Sequence, residues 1–278
     1  MNQGKIFATS FEVFPPDTEQ KFERMNQACM LLKQLDPKFF SVTFGAAGSS
    51  QLKTVTTVER LIGNNFKIVP HISCIGMTLS KLLNLLEKYQ LLGIRQLVVV
   101  RGDFPNEQTA SCSEFRYAAD LISCIRRNTG DFFHITVAAY PEFHPQAMDS
   151  RQDILNFKSK VEAGADSAIT QFFYNIDAFS HFMENCLKLN IRIPIIPGVL
   201  PIYNFQNLIR FADKCGAEIP LWLRKRLAFF SNDLDSLKKF GLEVVIHLCQ
   251  SLLSQGMKQF HFYTLNQAEL TIKICKLL

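Results

Sequence analysis

Short apolar stretches alternate along the chain with longer stretches whose apolar residues recur at helical spacing. The apolar stretches lie at residues 6–13, 39–44, 66–74, 96–102, 134–140, 167–174, 193–200 and 259–265. Their nearly continuous hydrophobicity is typical of parallel strands that are covered on both faces. Strands that alternate with helices in this way predict an α/β fold with a parallel sheet.

The intervals between these stretches predict helices. Residues 18–35 place five apolar side chains on one helical stripe, and Asp17 or Thr18 precedes that stripe as a candidate N-cap. The stripe consists of Phe22, Met25, Ala28, Cys29 and Leu32. We also predict helices at 79–92, 151–163, 203–214 and 267–277, and two helices within 221–254. Gly164 follows the 151–163 segment, as expected where a helix ends.

Eight strand–helix units without a compositional boundary predict a single domain over residues 1–278, folded as a (β/α)8 TIM barrel. A doubly wound open sheet is the main alternative. The sequence contains no G-x-G-x-x-G motif after its first strand and no G-x-x-x-x-G-K-[ST] motif, which makes that alternative less favoured.

Composition and charge narrow the class of protein. The formal net charge is +5, and the densest basic cluster is the three-residue run 224–226, so nothing indicates a nucleic-acid partner. The eight cysteines form no C-x-x-C pair, which argues against a metal site and fits a reducing compartment. No apolar run approaches the roughly 20 residues of a membrane span. We expect a cytoplasmic protein without metal or membrane segment.

Polar side chains follow every predicted strand at its carboxyl end. Since α/β barrels carry their active sites at that end, the sequence predicts a large polar pocket at one mouth of the barrel. In chain order these residues are Glu12, Thr43, His71, Ser73, Thr78, Arg101, Asp103, Tyr140, Glu142, His144, Gln171, Tyr174, Tyr203, Asn204, Thr264, Asn266 and Gln267.

The stretch TSFEVFPP at 9–16 contains the most informative of these residues. Side chains alternate along a strand, so Ser10, Glu12 and Phe14 share one face, and the two prolines that follow end the ladder. If both faces of the sheet are covered, desolvation favours the neutral form of the Glu12 carboxyl, which suits a general acid. The alternative is a salt-bridged glutamate at a strand end.

Structural roles are also open for the other candidates. Arg101 and Asp103 share strand parity and could pair with each other rather than with a ligand. His71 and His144 could be ordinary hydrogen-bonding residues, and Lys160 could be a solvated lysine on its helix.

Eight segments together resemble the methylenetetrahydrofolate reductase family, and they cover essentially the whole chain in the family's order. They are SFEVFPP at 10–16, SVTFGAAGS at 41–49, PHISCIGMT at 70–78, LVVVRGDFP at 97–105, VAAYPEFHP at 137–145, DILNFKSKVEAGADSAITQFFY at 153–174, IPIIPGVLPIYNF at 193–205 and HFYTLNQAE at 261–269. The length is similar to that of the short, single-domain members.

The resemblance implies an oxidoreductase of one-carbon metabolism and methionine biosynthesis. Such an enzyme binds FAD at the barrel mouth, takes electrons from NADH or NADPH, and reduces 5,10-methylenetetrahydrofolate to 5-methyltetrahydrofolate in a ping-pong scheme. Its general acid falls on Glu12, and Asp103 lies between flavin and pterin as the second catalytic residue. Family members are often homo-oligomers, which we therefore expect here. The partners so implied are small molecules.

The resemblance also assigns the binding residues. Those for FAD are Thr43, Phe44, Ala46, His71, Arg101, Gly102, Asp103, Tyr117, Ala118, Tyr140, His144, Asp153, Asn156 and Lys160. Those for the substrates are Gln171, Asn207, Phe211 and Gln267.

Four features depart from the family's pattern. Gln267 stands where arginine is common, Ser159 replaces a basic residue, and Asn207 stands where glutamine is usual. The loop after Gly48 lacks the arginine that is often found there. Gln267 and Ser159 keep a second hypothesis open, namely a related flavin barrel with another electron donor or pterin, working with a partner reductase. A third hypothesis is a non-catalytic barrel that binds a small anion.

Overall fold

The computed structural model describes residues 7–44, 51–102 and 113–278. Within them, nine parallel strands form one sheet. The strands are β1 (Ala8–Val13), β2 (Phe40–Val42), β3 (Ile68–Ser73), β4 (Gln96–Val100), β5 (His134–Ala139), β6 (Ser167–Thr170), β7 (Ile195–Ile196), β8 (Gly198–Val199) and β9 (Gln259–Tyr263).

Helices follow the strands and cover the outside of the sheet. They are α1 (Glu19–Lys33), α2 (Gln51–Gly63), α3 (Leu79–Leu91), α4 (Ala118–Thr129), α5 (Ser150–Glu162), α6 (Ile176–Lys188), α7 (Phe205–Cys215), α8 (Leu221–Phe229), α9 (Leu234–Ser254) and α10 (Glu269–Leu277). The predicted stripe on α1 is buried as expected, and the Thr18 side chain accepts a hydrogen bond from the Lys21 N–H as its N-cap.

The strand order is β7-β6-β5-β4-β3-β2-β1-β9-β8. Its two ends, β7 and β8, are neighbours in the chain and are separated only by Pro197. The sheet therefore curls into a nearly closed α/β barrel, which confirms the predicted fold class. The open doubly wound alternative is excluded because β9 pairs with both β1 and β8.

The seventh predicted strand, 193–200, is not continuous in the structure. Proline has no N–H to donate to a ladder, so pairing breaks at Pro197. The short strand before it pairs with β6 and the short strand after it pairs with β9. This break lets one segment connect the two edges of the sheet.

The core has two layers. The larger layer fills the space between sheet and helices and includes Phe11 and Val13 of β1, both fully buried. The smaller layer fills the inside of the barrel with apolar side chains from successive strands. Its buried members are Phe39, Val69, Val98, Ile169 and Ile196, with Tyr263 packed against them. Alternation along each strand separates the two layers.

Candidate active site

Glu12 lies near the carboxyl end of β1 and points into the barrel. Its neighbours Phe11 and Val13 point the other way, into the core under the helices, so the predicted alternation of this strand is confirmed. The Glu12 side chain is 21% exposed, so most of it is shielded from water. The position is the one that the sequence predicted for a candidate acid, at the rim where α/β barrels hold their active sites.

Two imidazoles flank the Glu12 carboxyl. His71 on β3 places Nε2 at 3.6 Å from Glu12 Oε2, and His261 on β9 places Nε2 at 3.8 Å from the same oxygen. Nδ1 of His261 hydrogen-bonds to Ser10 Oγ at 2.8 Å. We call Ser10, Glu12, His71 and His261 the Glu12 cluster. The sequence alone did not predict a carboxylate beside two histidines.

The Glu12 cluster has spare hydrogen-bonding capacity. Nε2 of His71 and Nε2 of His261 are buried, and neither has a hydrogen-bond partner among residues 7–44, 51–102 and 113–278. The hydroxyl of Ser41, which is opposite Glu12 in the β1–β2 register, is buried without a partner in the same part of the chain. Buried polar atoms are normally satisfied, so these atoms are places where a ligand or an ordered water would bind.

Burial lowers the pKa of His71 to about 4, although the nearby Glu12 carboxylate opposes that shift. The imidazole is therefore neutral around pH 7. A neutral imidazole has one donor and one acceptor nitrogen, so His71 can hydrogen-bond to either form of a carboxyl group.

The residues assigned to FAD on the neighbouring strands are placed at the same mouth. Thr43 and Phe44 follow β2, and the Thr43 N–H donates to the Val13 carbonyl at 3.0 Å. Arg101 and Gly102 follow β4, where the Arg101 carbonyl accepts bonds from the Ser73 hydroxyl and the Cys74 N–H.

Gly102 has a φ of +78°, and a Cβ at this position would lie 2.3 Å from Ser73 Oγ. Only glycine fits this turn. Ala46 and Asp103, the remaining predicted residues of these two loops, lie outside the described residues.

A second group of predicted FAD residues lies at β5 and α5. The Lys160 ammonium donates to the Ala138 carbonyl at 2.6 Å, and burial lowers its pKa to about 8 against the opposing effect of Asp153. Burial raises the pKa of Asp153, and Lys160 opposes this. Lys160 is thus not the solvated lysine of the alternative reading. Asn156, on the same helix, is exposed.

Tyr140 and His144 stand edge to face, with ring centroids 4.7 Å apart. They follow β5 directly, and the Gln146 N–H donates to His144 Nδ1 at 3.1 Å. Tyr117 and Ala118 lie at the start of α4, where the Asp120 carboxylate accepts a bond from the Tyr117 N–H. The Tyr117 side chain is exposed and Ala118 is buried.

A small pocket between the loops after β5 and β6 and the end of α7 is lined by Tyr140, Glu142, Gln171 and Cys215. Glu142 Oε2 accepts a 2.7 Å bond from the Glu218 N–H, whereas Oε1 is buried without a partner in the part of the chain that the structure describes. Burial raises the pKa of Glu142 to about 7. The sequence placed Glu142 at this mouth but assigned it no role.

The predicted substrate residues occupy different surroundings. Gln171 lines the pocket just described, and its Oε1 accepts a bond from the Phe172 N–H at 3.0 Å. Phe211 is half-buried against the core, while Asn207 and Gln267 are exposed. Asn207 Oδ1 accepts a bond from Arg210 at 3.3 Å.

Two residues of β9 were missed by reasoning from sequence. His261 belongs to the Glu12 cluster, and the Tyr263 hydroxyl donates to the Thr170 carbonyl at 2.6 Å across the barrel. The signal was the alternation in QFHFY, which places His261 and Tyr263 opposite the buried Phe260 and Phe262 and therefore inside the barrel. Alternation alone could not show which strands they face.

The arrangement can move a proton and bind polar groups. A carboxyl with restricted access to water, flanked by a neutral imidazole, is suited to general acid catalysis. The unsatisfied nitrogen of His71, one of the residues assigned to FAD, is the kind of atom that a polar ligand satisfies, so the residues present fit a bound cofactor at this mouth.

Comparison with known proteins gives a consistent picture. The family model described as methylenetetrahydrofolate reductase matches residues 1–278. A 5,10-methylenetetrahydrofolate reductase of Buchnera aphidicola subsp. Schizaphis graminum is 40% identical over 267 residues, which are 96% of this chain and 90% of the relative. The enzyme of that name from Escherichia coli K12 is 37% identical over 274 residues, or 98% of this chain and 90% of the relative.

A plant protein and a solved structure also match this chain. Methylenetetrahydrofolate reductase (NADH) 1 of Arabidopsis thaliana is 34% identical over 285 residues, covering 95% of this chain and 47% of that protein. Among solved structures, a Clostridium thermocellum protein that binds two copies of 5-methyl-5,6,7,8-tetrahydrofolic acid superposes with a TM-score of 0.70 at 18% identity, covering 98% of this chain and 95% of the other. At that identity the likeness supports the fold. The family model and the sequence relatives show that the chain belongs to the methylenetetrahydrofolate reductase family.

Proposed function

We propose that this protein is an FAD-dependent 5,10-methylenetetrahydrofolate reductase that uses NADH or NADPH and forms 5-methyltetrahydrofolate. The observation that carries the proposal is the Glu12 cluster, in which one inward-facing carboxyl at the mouth lies beside His71 and His261. Family membership supplies the reaction, and this cluster supplies a residue able to perform its proton transfer.

When bound, FAD would supply the hydride chemistry by accepting electrons from the nicotinamide and passing them to the folate. The residues proposed to hold it are those of the strand ends and of α5, from Thr43 to Lys160, together with the turn at Gly102. Lys160 is already fixed by its bond to the Ala138 carbonyl, so it would add a positive charge in a set position.

Glu12 would protonate the nitrogen that leaves the carbon to be reduced. Opening the five-membered ring of the substrate needs a proton on that nitrogen before the carbon can accept hydride. The barrel wall limits the access of water to Glu12, and His71 and His261 limit the directions in which its carboxyl can turn. Gln171 would hydrogen-bond to the pterin because an amide both donates and accepts, and Asp103 is proposed to share that role.

Phe211 is proposed to pack against the nicotinamide or the folate. Gln267 is proposed to lie near the aminobenzoyl-glutamate end of the folate, and Asn207 is proposed as a further substrate-binding residue. Gln267 lacks the positive charge that is common at this position in the family, so we expect weaker binding of the folate glutamate than an arginine there would give.

A homo-oligomer in the cytoplasm is part of the same proposal. The seven cysteines of the described ranges are thiols, as a reducing compartment would leave them. In those ranges, no helix is both long enough and apolar enough to cross a bilayer.

Reconstitution of the purified protein with FAD tests the function. We expect a yellow protein that NADH or NADPH bleaches under anaerobic conditions and that 5,10-methylenetetrahydrofolate reoxidises with formation of 5-methyltetrahydrofolate. Bleaching without reoxidation by this folate would favour the related barrel with another pterin. The glutamine at position 267, where arginine is common in the family, is the observation that suggests this alternative. A protein that binds no flavin would contradict both.

A further inference from the structure

The strand that carries Glu12 ends in an unusual way. After Phe14 come Pro15 and Pro16, which have no N–H, so the backbone ladder cannot continue. The N–H and C=O of Phe14 are nevertheless both satisfied. The side-chain oxygen of Asn266 accepts from the Phe14 N–H at 3.0 Å, and its side-chain nitrogen donates to the Phe14 carbonyl at 2.9 Å.

One side-chain amide thus replaces a peptide group of the neighbouring strand. β9 pairs with β1 as far as Tyr263 opposite Glu12, the Thr264 N–H donates to the Glu12 carbonyl at 3.3 Å, and then the backbone turns away. Leu265 and Asn266 both have left-handed backbone angles, with φ of 52° and 57°. Asparagine adopts this conformation more readily than most residues, and Asn266 uses the turn to return its amide to β1.

A second bond holds the carbonyl of Glu12 itself. The Thr264 hydroxyl donates to the Glu12 carbonyl at 2.6 Å and accepts from the Asn266 N–H at 3.2 Å. The backbone is therefore fixed at Glu12 and at Phe14, on both sides of Val13. The carbonyl of the next residue, Gln267, accepts a bond from the Tyr203 hydroxyl at 3.3 Å.

We propose that Asn266 is a positioning residue for Glu12. Its amide clamp on Phe14 fixes the end of β1 and thereby the direction in which the Glu12 carboxyl reaches the substrate, and the same turn presents Gln267 at the mouth. The inference rests on the proposed role of Glu12 as the acid. It assigns to the loop after β9 an effect on proton transfer, in addition to any contact with the folate.

Two substitutions at Asn266 test the clamp. Asn266→Asp keeps the size and the acceptor for the Phe14 N–H but sets a second oxygen against the Phe14 carbonyl. Asn266→Gly keeps the left-handed turn and removes both bonds. Asn190→Asp is the matched control, because Asn190 is exposed, has a φ of 60° and lies after α6, at the opposite end of the barrel.

The first readout does not depend on turnover. We expect the Phe14 amide proton to exchange with solvent much faster in Asn266→Gly than in the wild type, as followed by nuclear magnetic resonance, and to be unchanged in Asn190→Asp. An unchanged Phe14 exchange rate in Asn266→Gly would overturn the clamp.

The second readout compares the two half-reactions. A misplacement of about 1 Å in a catalytic group can cost about 100-fold in rate. We therefore expect both Asn266 variants to reoxidise with methylenetetrahydrofolate about 10- to 100-fold more slowly, with nearly wild-type reduction by NADH and a normal unfolding midpoint. Equal slowing of both half-reactions would refute a specific effect on Glu12.

Glu12→Gln separates this inference from the proposed function. If Glu12→Gln loses folate reduction while Asn266→Asp reduces the folate at the wild-type rate, only the positioning role of Asn266 is overturned. Wild-type folate reduction in Glu12→Gln would overturn the acid role, and the inference would fail with it.

Discussion

Gly198 is the residue at which the barrel closes, and its replacement by alanine is the most demanding test of the fold. It is buried, its N–H donates to the Thr170 hydroxyl at 2.9 Å, and it pairs with His261. A Cβ at this position would lie 2.1 Å from the Thr170 carbonyl oxygen and 2.7 Å from the Tyr263 ring. The first contact is with backbone, so a change of side-chain rotamer cannot relieve it.

The expected cost follows from these contacts. Overpacking of a core typically costs about 1–3 kcal/mol. Displacement of the Tyr263 ring would also break its 2.6 Å bond to the Thr170 carbonyl, and a buried polar group without a partner costs about 1–3 kcal/mol. We therefore expect Gly198→Ala to lower the free energy of unfolding by about 3–5 kcal/mol, a large fraction of the 5–15 kcal/mol typical of a folded protein.

Urea denaturation followed by circular dichroism measures this difference. The control is Gly63→Ala, because Gly63 is the exposed last residue of α2 and a Cβ there would meet nothing within 4 Å among residues 7–44, 51–102 and 113–278. Alanine is a better helix former than glycine, and Gly63 is at the end of its helix, so the control should gain at most about 0.5–1 kcal/mol. A loss of less than about 1 kcal/mol in Gly198→Ala would refute the tight closure at Thr170 and Tyr263.

Two further predictions concern polar groups. Arg126 is 16% exposed, donates to the Gly164 and Phe133 carbonyls and pairs with Asp166. Because Asp166 is 39% exposed and stays hydrated without its partner, Arg126→Met should cost about 1.5–3 kcal/mol in urea denaturation, the range for hydrogen bonds to a charged group. The exposed Arg127→Met should change stability by less than about 0.5 kcal/mol, and equal effects would contradict this. Burial raises the pKa of Glu142 from 4.5 to about 7, so the folded state favours the neutral carboxyl. The stability that the neutral carboxyl contributes is therefore complete below pH 4.5 and is lost as the pH rises through 7. Glu142→Gln keeps an acceptor for the Glu218 N–H and does not titrate. Its free energy of unfolding, relative to that of the wild type, should therefore rise by about 1–2 kcal/mol from acid to mildly alkaline pH, after allowance for screening by solvent. A pH-independent difference would refute the raised pKa.

Much of the fold could be predicted from the sequence because alternation and helical spacing are local properties. The stripe on α1 and the inward direction of Glu12 follow from such patterns. The break at Pro197 did not follow, because IPIIPGVL is as apolar as an unbroken strand. Only the closure of the sheet shows why one segment must pair on both sides of a proline.

The candidate site was less accessible to reasoning from sequence. His261 and Glu12 are far apart in the chain, and their approach depends on β9 pairing with β1 in one register. The same holds for the clamp of Asn266 on Phe14, which needs both that register and two left-handed residues. Family motifs indicate which residues matter, whereas the contacts among them come from the assembled barrel.

Anaerobic stopped-flow measurement on Glu12→Gln tests the central claim most directly. Glutamine has nearly the same shape as glutamate and cannot supply the acid proton. We predict that the variant binds FAD and is reduced by NADH like the wild type, but that methylenetetrahydrofolate reoxidises its flavin at least about 100-fold more slowly. Reoxidation at the wild-type rate would contradict the assignment of Glu12 as the proton donor.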